Sequence, residues 1–436
     1  MQPFPWPWVE SQVDRTSELW QSCASQTPAA VRIYSPHEQI QREQSYDRAL
    51  AEVEKELRTR AATAAERSAL QARTTASFGR FSAEALDLPP DAIQMLTEGF
   101  LPVGTGLGRW ARSFDPDLDR ADIVQACRNA WTACGLQPLL GEETALTPSI
   151  LGYSLLYPYT DNYLDQPAIP AKAKQQFGER FRRRLCGQRI EAGNPHESAL
   201  WELVALIEGQ YPREQFPGVY DCLLAIHQAQ QDSVAQLSRA SSAVPFRSAA
   251  ELLRLSCAKG GSSVLADACL ARGWLTAQES QFAFRWGVLL QLGDDLQDIR
   301  EDLRSGSATL FSRAAALGVP LDDLANQLLS FSDCIAAEME ALPCGSRMLK
   351  DLLRMSWRSL IVNAIAESYR FFSARYVEQI ERTSPFRFEF LRARRKRLGR
   401  RRGLYESLFD RFVEGSDDPE PALPLPIRAL AASCGD

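Results

Sequence analysis

Apolar residues recur along most of this chain at intervals of three and four, the spacing that lays one stripe down an α-helix. The segments AEVEKELRTRAATAAERSALQA, DAIQMLTEGFL, ADIVQACRNAWTACG, AKAKQQFGERFRRRL, SALWELVALIEGQ, YDCLLAIHQAQQDSVAQL and SAAELLRLSCAKGGSSVLADACLARG read this way. So do DDLANQLLSFSDCIAAEMEAL and SRMLKDLLRMSWRSLIVNAIAESYRFFSARYVEQI. Hairpin signals of the Asn-Gly or Asp-Gly type between alternating apolar runs are missing, and no fixed period of roughly 20 to 50 residues recurs. The pattern predicts an all-α, multi-helix bundle rather than a repeat array.

Departures from the period suggest an organisation. Residues 1–36, rich in Pro, Trp, Ser and Gln, are expected to form an irregular N-terminal arm packed on the body through Trp6, Trp8 and Trp20. Residues 37–129 read as an N-terminal helical extension, with AEVEKELRTRAATAAERSALQA as one long helix of strong helix formers. GTGLGRW at Gly104–Trp110 has no β-rich run before it, so a flexible turn is expected rather than a phosphate loop. DPDLDRAD at Asp115–Asp122 lacks the glycine and closing glutamate of a calcium loop and reads as a capped helix start. Residues 130–385 form the main bundle, 386–415 a basic amphipathic helical segment and 416–436 a disordered Pro-rich tail.

Charge and cysteine content narrow the function classes. Lys and Arg total 49 against 55 Asp and Glu, so bulk charge gives no case for a nucleic-acid partner. Ten cysteines occur without CxxC pairs and with three histidines in all, which removes the usual zinc spacings and suggests reduced thiols. The start, MQPFPWPWVESQ, lacks a charged region followed by an apolar run, and no window approaches a spanning helix. A cytoplasmic protein is expected. The basic run Arg392–Arg402, with Phe386, Phe388, Phe390 and Leu391 beside it, suits either a solvated helix or protein contact, or else peripheral contact with an anionic membrane through residues 386–402.

One stretch carries chemistry. In FRWGVLLQLGDDLQDIREDLRSG, Asp294, Asp295, Asp298, Glu301 and Asp302 fall within roughly 120° of a helical wheel. Leu289, Leu292, Leu296, Ile299 and Leu303 take the other side. Stacked carboxylates repel, so the face is either turned to water or built to hold a cation. In SILGYSLLYPYTDNYLD, Asp161 and Asp165 stand four residues apart and share a face. Two such acidic walls suit Mg2+ bridging to a diphosphate.

The stretch from Gly287 to Asp302 resembles the second aspartate motif of class I isoprenoid (terpenoid) synthases and blends three of their branches. Gln291, Asp294, Asp295 and Asp298 follow the Q-x-x-D-D-x-x-D pattern of trans-prenyltransferases. Gly287, Leu290, Gln291, Asp298, Glu301 and Asp302 follow that of squalene and phytoene synthases, and Asp294, Asp298 and Asp302 the metal triad of terpene cyclases. DNYLD is similar to the first aspartate-rich motif, with Asn162 in place of an acid. Lys259 stands where prenyltransferases carry a diphosphate-binding lysine, and Arg375 with Tyr376 resembles the late Arg-Tyr pair of bacterial cyclases.

The resemblance implies a bundle of the class I type over residues 130–385. It implies Mg2+ held by Asp161, Asp165, Asp294, Asp298 and Asp302, and a prenyl diphosphate gripped by Lys259, Arg375 and Tyr376. Gln291, Asp295 and Glu301 would orient ligands or bound water. The expected function is a terpene synthase that ionises the diphosphate and cyclises or rearranges the carbocation. A prenyltransferase or head-to-head condensing enzyme, and a non-catalytic helical scaffold that keeps the fold, are the alternatives. No arginine follows Asp165 in QPAIPAK, which favours one substrate diphosphate over two.

Overall fold

Helix starts are written into the sequence as Ser or Thr three residues ahead of Glu, and Ser35, Thr63, Ser248 and Thr276 each close such a capping box. The computed structural model describes residues 4–26, 32–59, 63–166, 168–239 and 248–400. The described residues are all-α, with no strand among them. In chain order the first helices are α1 (Trp6–Ser22), α2 (Pro36–Arg58), α3 (Ala64–Leu86) and α4 (Pro90–Gln94). A π-helical turn (Met95–Phe100) leads into α5 (Leu101–Phe114), α6 (Arg120–Leu139), α7 (Pro148–Asp165), α8 (Ala171–Leu185), α9 (Pro195–Gln210) and α10 (Pro217–Arg239). Next come α11 (Ala249–Arg272), α12 (Ala277–Gln297), α13 (Ile299–Ser305), α14 (Leu310–Ala316), α15 (Asp322–Glu340) and α16 (Arg347–Glu367). A 3-10 turn (Tyr369–Phe371), α17 (Ala374–Glu381) and α18 (Phe388–Arg400) complete the described chain.

The bundle is arranged around α11. Its sequence, AAELLRLSCAKGGSSVLADACLAR, mixes Leu and Val with Ala, Cys, Ser and Gly, so its second half, Val264–Ala271, is buried on every side, while Glu251 and Arg254 of its first turns are exposed. It packs against α1, α6, α7, α10 and α12. One large core runs from Phe4 to Phe388. A satellite cluster of Ala49, Leu50, Val53, Leu57, Phe81 and Ala85 holds α2 to α3.

Several expectations are corrected. The supposed irregular arm contains α1, started by Pro5 and Pro7, with Val9, Val13, Thr16 and Trp20 spaced as a helical stripe in the core. The long helix near residue 60 is two, because Thr63 caps a second start. The glycine-rich GTGLGRW lies inside α5, where Val103, Leu107 and Ala111 form the buried stripe. Gly104 lets the ring of Trp131 lie so close that a Cβ would approach it to 2.7 Å. The predicted capped start at Asp119 is present, its carboxylate accepting from the Ala121 N–H at 3.0 Å.

The basic segment is bound within the molecule. Arg387, Arg394 and Arg397 pair with Glu43, Asp47 and Glu54 of α2 at 2.5, 2.8 and 2.9 Å. Phe386 and Phe388 are buried, and Phe386 and Phe390 stack edge-on to Tyr46 at 5.5 and 5.4 Å between ring centres. Packing within the molecule therefore accounts for the burial of Phe386 and Phe388. Arg401, Arg402 and the tail 416–436 lie outside the described residues. Among the described residues no helix is long and apolar enough to cross a membrane.

Candidate active site

The site begins with a close helix crossing. Gly260 of α11 and Gly287 of α12 touch backbone to backbone: a Cβ on Gly260 would lie 2.5 Å from the Gly287 carbonyl oxygen, and one on Gly287 2.0 Å from that of Gly260. Beside them Gly261 receives the ring of Phe284. Gly260, which stands where prenyltransferases have threonine, thus has a packing reason in this chain.

The crossing sets one acid as a bolt. Asp295 is buried, and its two oxygens accept from Ser256 Oγ at 2.7 Å and Gln291 Nε2 at 2.8 Å. Burial raises its pKa, and the two donors work against that rise. Gln291 therefore orients Asp295, and Asp295 joins α12 to α11.

The remaining acids of the stretch are accessible to solvent in whole or in part. Asp294 is accessible to solvent yet surrounded by protein, and that desolvation pushes its carboxyl up to about 6. Arg128 of α6 and Lys259 oppose the shift, while Asp295 and Asp298 add to it. At Asp298 the helix bends by one residue into α13, but the hydrogen-bond ladder continues: its N–H reaches the Asp294 carbonyl at 2.9 Å. Its own carbonyl accepts from Glu301 and Asp302 at 2.8 and 2.9 Å. Burial and the charge of Glu301 raise Asp298, with Arg395 and Arg128 opposing. Asp302 is driven to about 7 by burial, then by Asp295, with the Thr309 hydroxyl, 3.2 Å from its Oδ2, on the other side. Glu301 is exposed. On the opposite side Leu289, Leu292, Leu296 and Ile299 are buried as expected, while Leu303 is 41% exposed because the bend carries α13 away from the core.

The first acidic cluster reaches the same place through Lys259. Asp161, buried on α7, accepts from Gln230 Nε2 of α10 at 2.5 Å, and its other oxygen lies 3.9 Å from Lys259 Nζ. Lys259 also favours the charged forms of Asp294 and Asp295. One ammonium therefore sits among acids of α7 and α12. Asn162 points elsewhere, donating to Asp122 of α6 at 2.6 Å, and the side chain of Asp165 lies outside the described residues.

A narrow crevice adjoins Asp161. Thr160 and Gln230 line its polar end and Leu156, Phe181, Leu223 and Ile226 its walls, with Tyr153 also facing it. His227 at its edge donates from Nε2 to the Gly178 carbonyl at 2.9 Å, and burial lowers it to about 4, so it is neutral.

Not every expected residue gathers here. Tyr376 is buried against α15, its hydroxyl donating to Asn326 Oδ1 at 2.9 Å, and Arg375 is exposed on α17. No described contact ties either to the carboxylates. Ser256, Gln230, Arg128 and Thr309 belong to the site and were missed. Ser256 was findable, since it precedes Lys259 by three residues on the same face; the others carry no local signal. Among the described residues no three His, Cys, Asp or Glu side chains converge tightly enough to hold a metal ion. No protein-family model matches the chain, and comparison with curated proteins yields no match either.

Proposed function

We propose that this chain is a Mg2+-dependent class I terpene synthase that ionises a prenyl diphosphate. The observation that supports this reading is Lys259, 3.9 Å from Asp161 on α7 and within the field of Asp294 and Asp295 on α12. Acids from two sequence-distant helices are there grouped about one cation, the charge pattern a metal-bridged diphosphate needs.

The donor set fits a hard cation. Asp294, Asp298 and Asp302 offer only carboxylate oxygen, and all three are held above the usual carboxylate range by burial and by the charge of neighbouring acids. Such crowding is relieved by a divalent ion. With Asp161 and Asp165, these residues would hold Mg2+. The chemistry a bound Mg2+ supplies is neutralisation of the leaving diphosphate.

The chain's own residues do the rest. Lys259 binds diphosphate oxygen and offsets charge as the bond to carbon breaks. Gln230 fixes the orientation of Asp161, and Thr309 that of Asp302. Ser256 and Gln291 lock Asp295 and so fix α12 against α11.

Purified protein supplied with Mg2+ and with farnesyl, geranylgeranyl and longer diphosphates should release pyrophosphate and an extractable hydrocarbon or alcohol of the same carbon number. Consumption of none of them refutes the proposal. Products longer than any single substrate point to the condensing reaction instead.

A further inference from the structure

A second cationic feature lies at the end of α16. Helix α16 ends at Glu367, and the turn Tyr369–Phe371 follows. Arg300 of α13 donates to the Glu367 carbonyl at 2.9 Å, and Arg392 of α18 to the Ala366 carbonyl at 3.2 Å. The Arg392 guanidinium also lies over the Tyr369 ring, 4.4 Å from its centre. Arg370 places its guanidinium 5.8 Å from that centre and donates from Nε to the Tyr369 hydroxyl at 3.2 Å. Arg395 pairs with the Glu367 carboxylate and favours the charged form of Asp298.

Closing the end of α16 explains part of this. Cations suit a helix C-terminus, and two carbonyls are satisfied. The described bonds, however, engage one N–H group each of Arg300, Arg370 and Arg392, and a guanidinium carries five N–H donors. Arg370 caps nothing; its described partner is a phenol. In the described contacts Glu367 pairs with Arg395 and leaves the other three guanidiniums without an acid. Arg300 and Arg370 are exposed and Arg392 half-buried, so the open donors face solvent. Three like charges from three elements around the end of α16 repel unless an anion joins them. Planar guanidinium forks match phosphate oxygens best.

We propose that Arg300, Arg370 and Arg392, gathered at the end of α16 beside Tyr369, form an anion site for a phosphate or diphosphate group, separate from Lys259. It goes beyond the proposed catalytic reading and does not depend on it. The group is supplied either by a soluble phosphate compound or by a phospholipid headgroup.

The test is calorimetric titration of the full chain with inorganic diphosphate in EDTA at low salt, with co-sedimentation on phosphatidic acid against phosphatidylcholine vesicles as the lipid arm. The wild type should bind at least one of the two phosphate probes. Arg370→Gln and Arg392→Gln should each weaken that binding roughly tenfold, and Lys259→Met should not abolish it. Arg392→Gln removes a helix-end contact, so if circular dichroism shows that variant misfolded, Arg370→Gln, whose side chain bonds only a phenol at the surface, decides the matter. Saturable diphosphate binding supports a soluble ligand, and selective binding to phosphatidic acid supports a headgroup. The proposal is overturned if the wild type binds neither probe, if Arg370→Gln binds as well as wild type, or if Lys259→Met abolishes metal-free binding.

Discussion

Asp295 and its neighbours show how one motif divides its labour. Four aspartates and a glutamate within nine residues look alike in sequence, yet Asp295 is fully bonded inside the helix crossing while Asp294 and Asp298 are accessible to solvent. Removing the Ser256 hydroxyl leaves a buried carboxylate oxygen short of a donor. Ser256→Ala should therefore lower stability by about 1–3 kcal/mol, read as a shift in the urea midpoint at constant slope. Asp302 makes a pH prediction. Its folded pKa, about 7, lies above the ordinary value of 3.8, so between those values the folded state holds a proton that the unfolded state has lost. Stability from this group is full below the ordinary pKa and falls as pH rises toward 7. Asp302→Asn should thus flatten the decline of Tm between pH 4.5 and 7.5 relative to wild type; an unchanged or steeper decline contradicts the assignment. Mg2+ should raise the wild-type Tm at pH 7.5 more than at pH 5, because protonation competes with binding.

The α11–α12 crossing is the element on which the site depends. Alanine at Gly260 or Gly287 places a methyl group against backbone that cannot move without separating the helices. Each substitution should cost about 1–3 kcal/mol or more by the usual penalty for overpacking. Gly99→Ala, where nothing lies within 4 Å, should change stability little; both are checked by chemical denaturation. Elements of this kind were legible where local chemistry decides them. The capping boxes at Ser248 and Thr276 and the apolar side of α12 were open to sequence reading because cap and stripe lie within a few residues. The stripe of α1 was present too, but Pro5 and Pro7 read as irregularity when they in fact start the helix. GTGLGRW misled for the opposite reason: its first glycine, Gly104, answers to Trp131, more than twenty residues away.

Across the chain as a whole, a central small-residue helix brings α7, α10 and α12 around one lysine. The all-α class followed from periodicity alone, whereas partners such as Gln230 for Asp161 and Arg128 for Asp294 depend on which helices α11 sets side by side. The same dependence explains α18, for which the sequence left a solvated face, a protein contact and a membrane face open: Arg394 and Arg397, with Arg387 just before the helix, pair with acids of α2. If this convergence handles a prenyl diphosphate, Lys259 is the group whose loss should be felt most. Pyrophosphate release from geranylgeranyl and farnesyl diphosphates should be measured with Mg2+ in the wild type and in Lys259→Met side by side. The expected result is release by the wild type that EDTA abolishes and that Lys259→Met lowers by roughly 100-fold or more. Wild-type release that is equal in Lys259→Met, or no release from either substrate, contradicts a diphosphate site at this convergence.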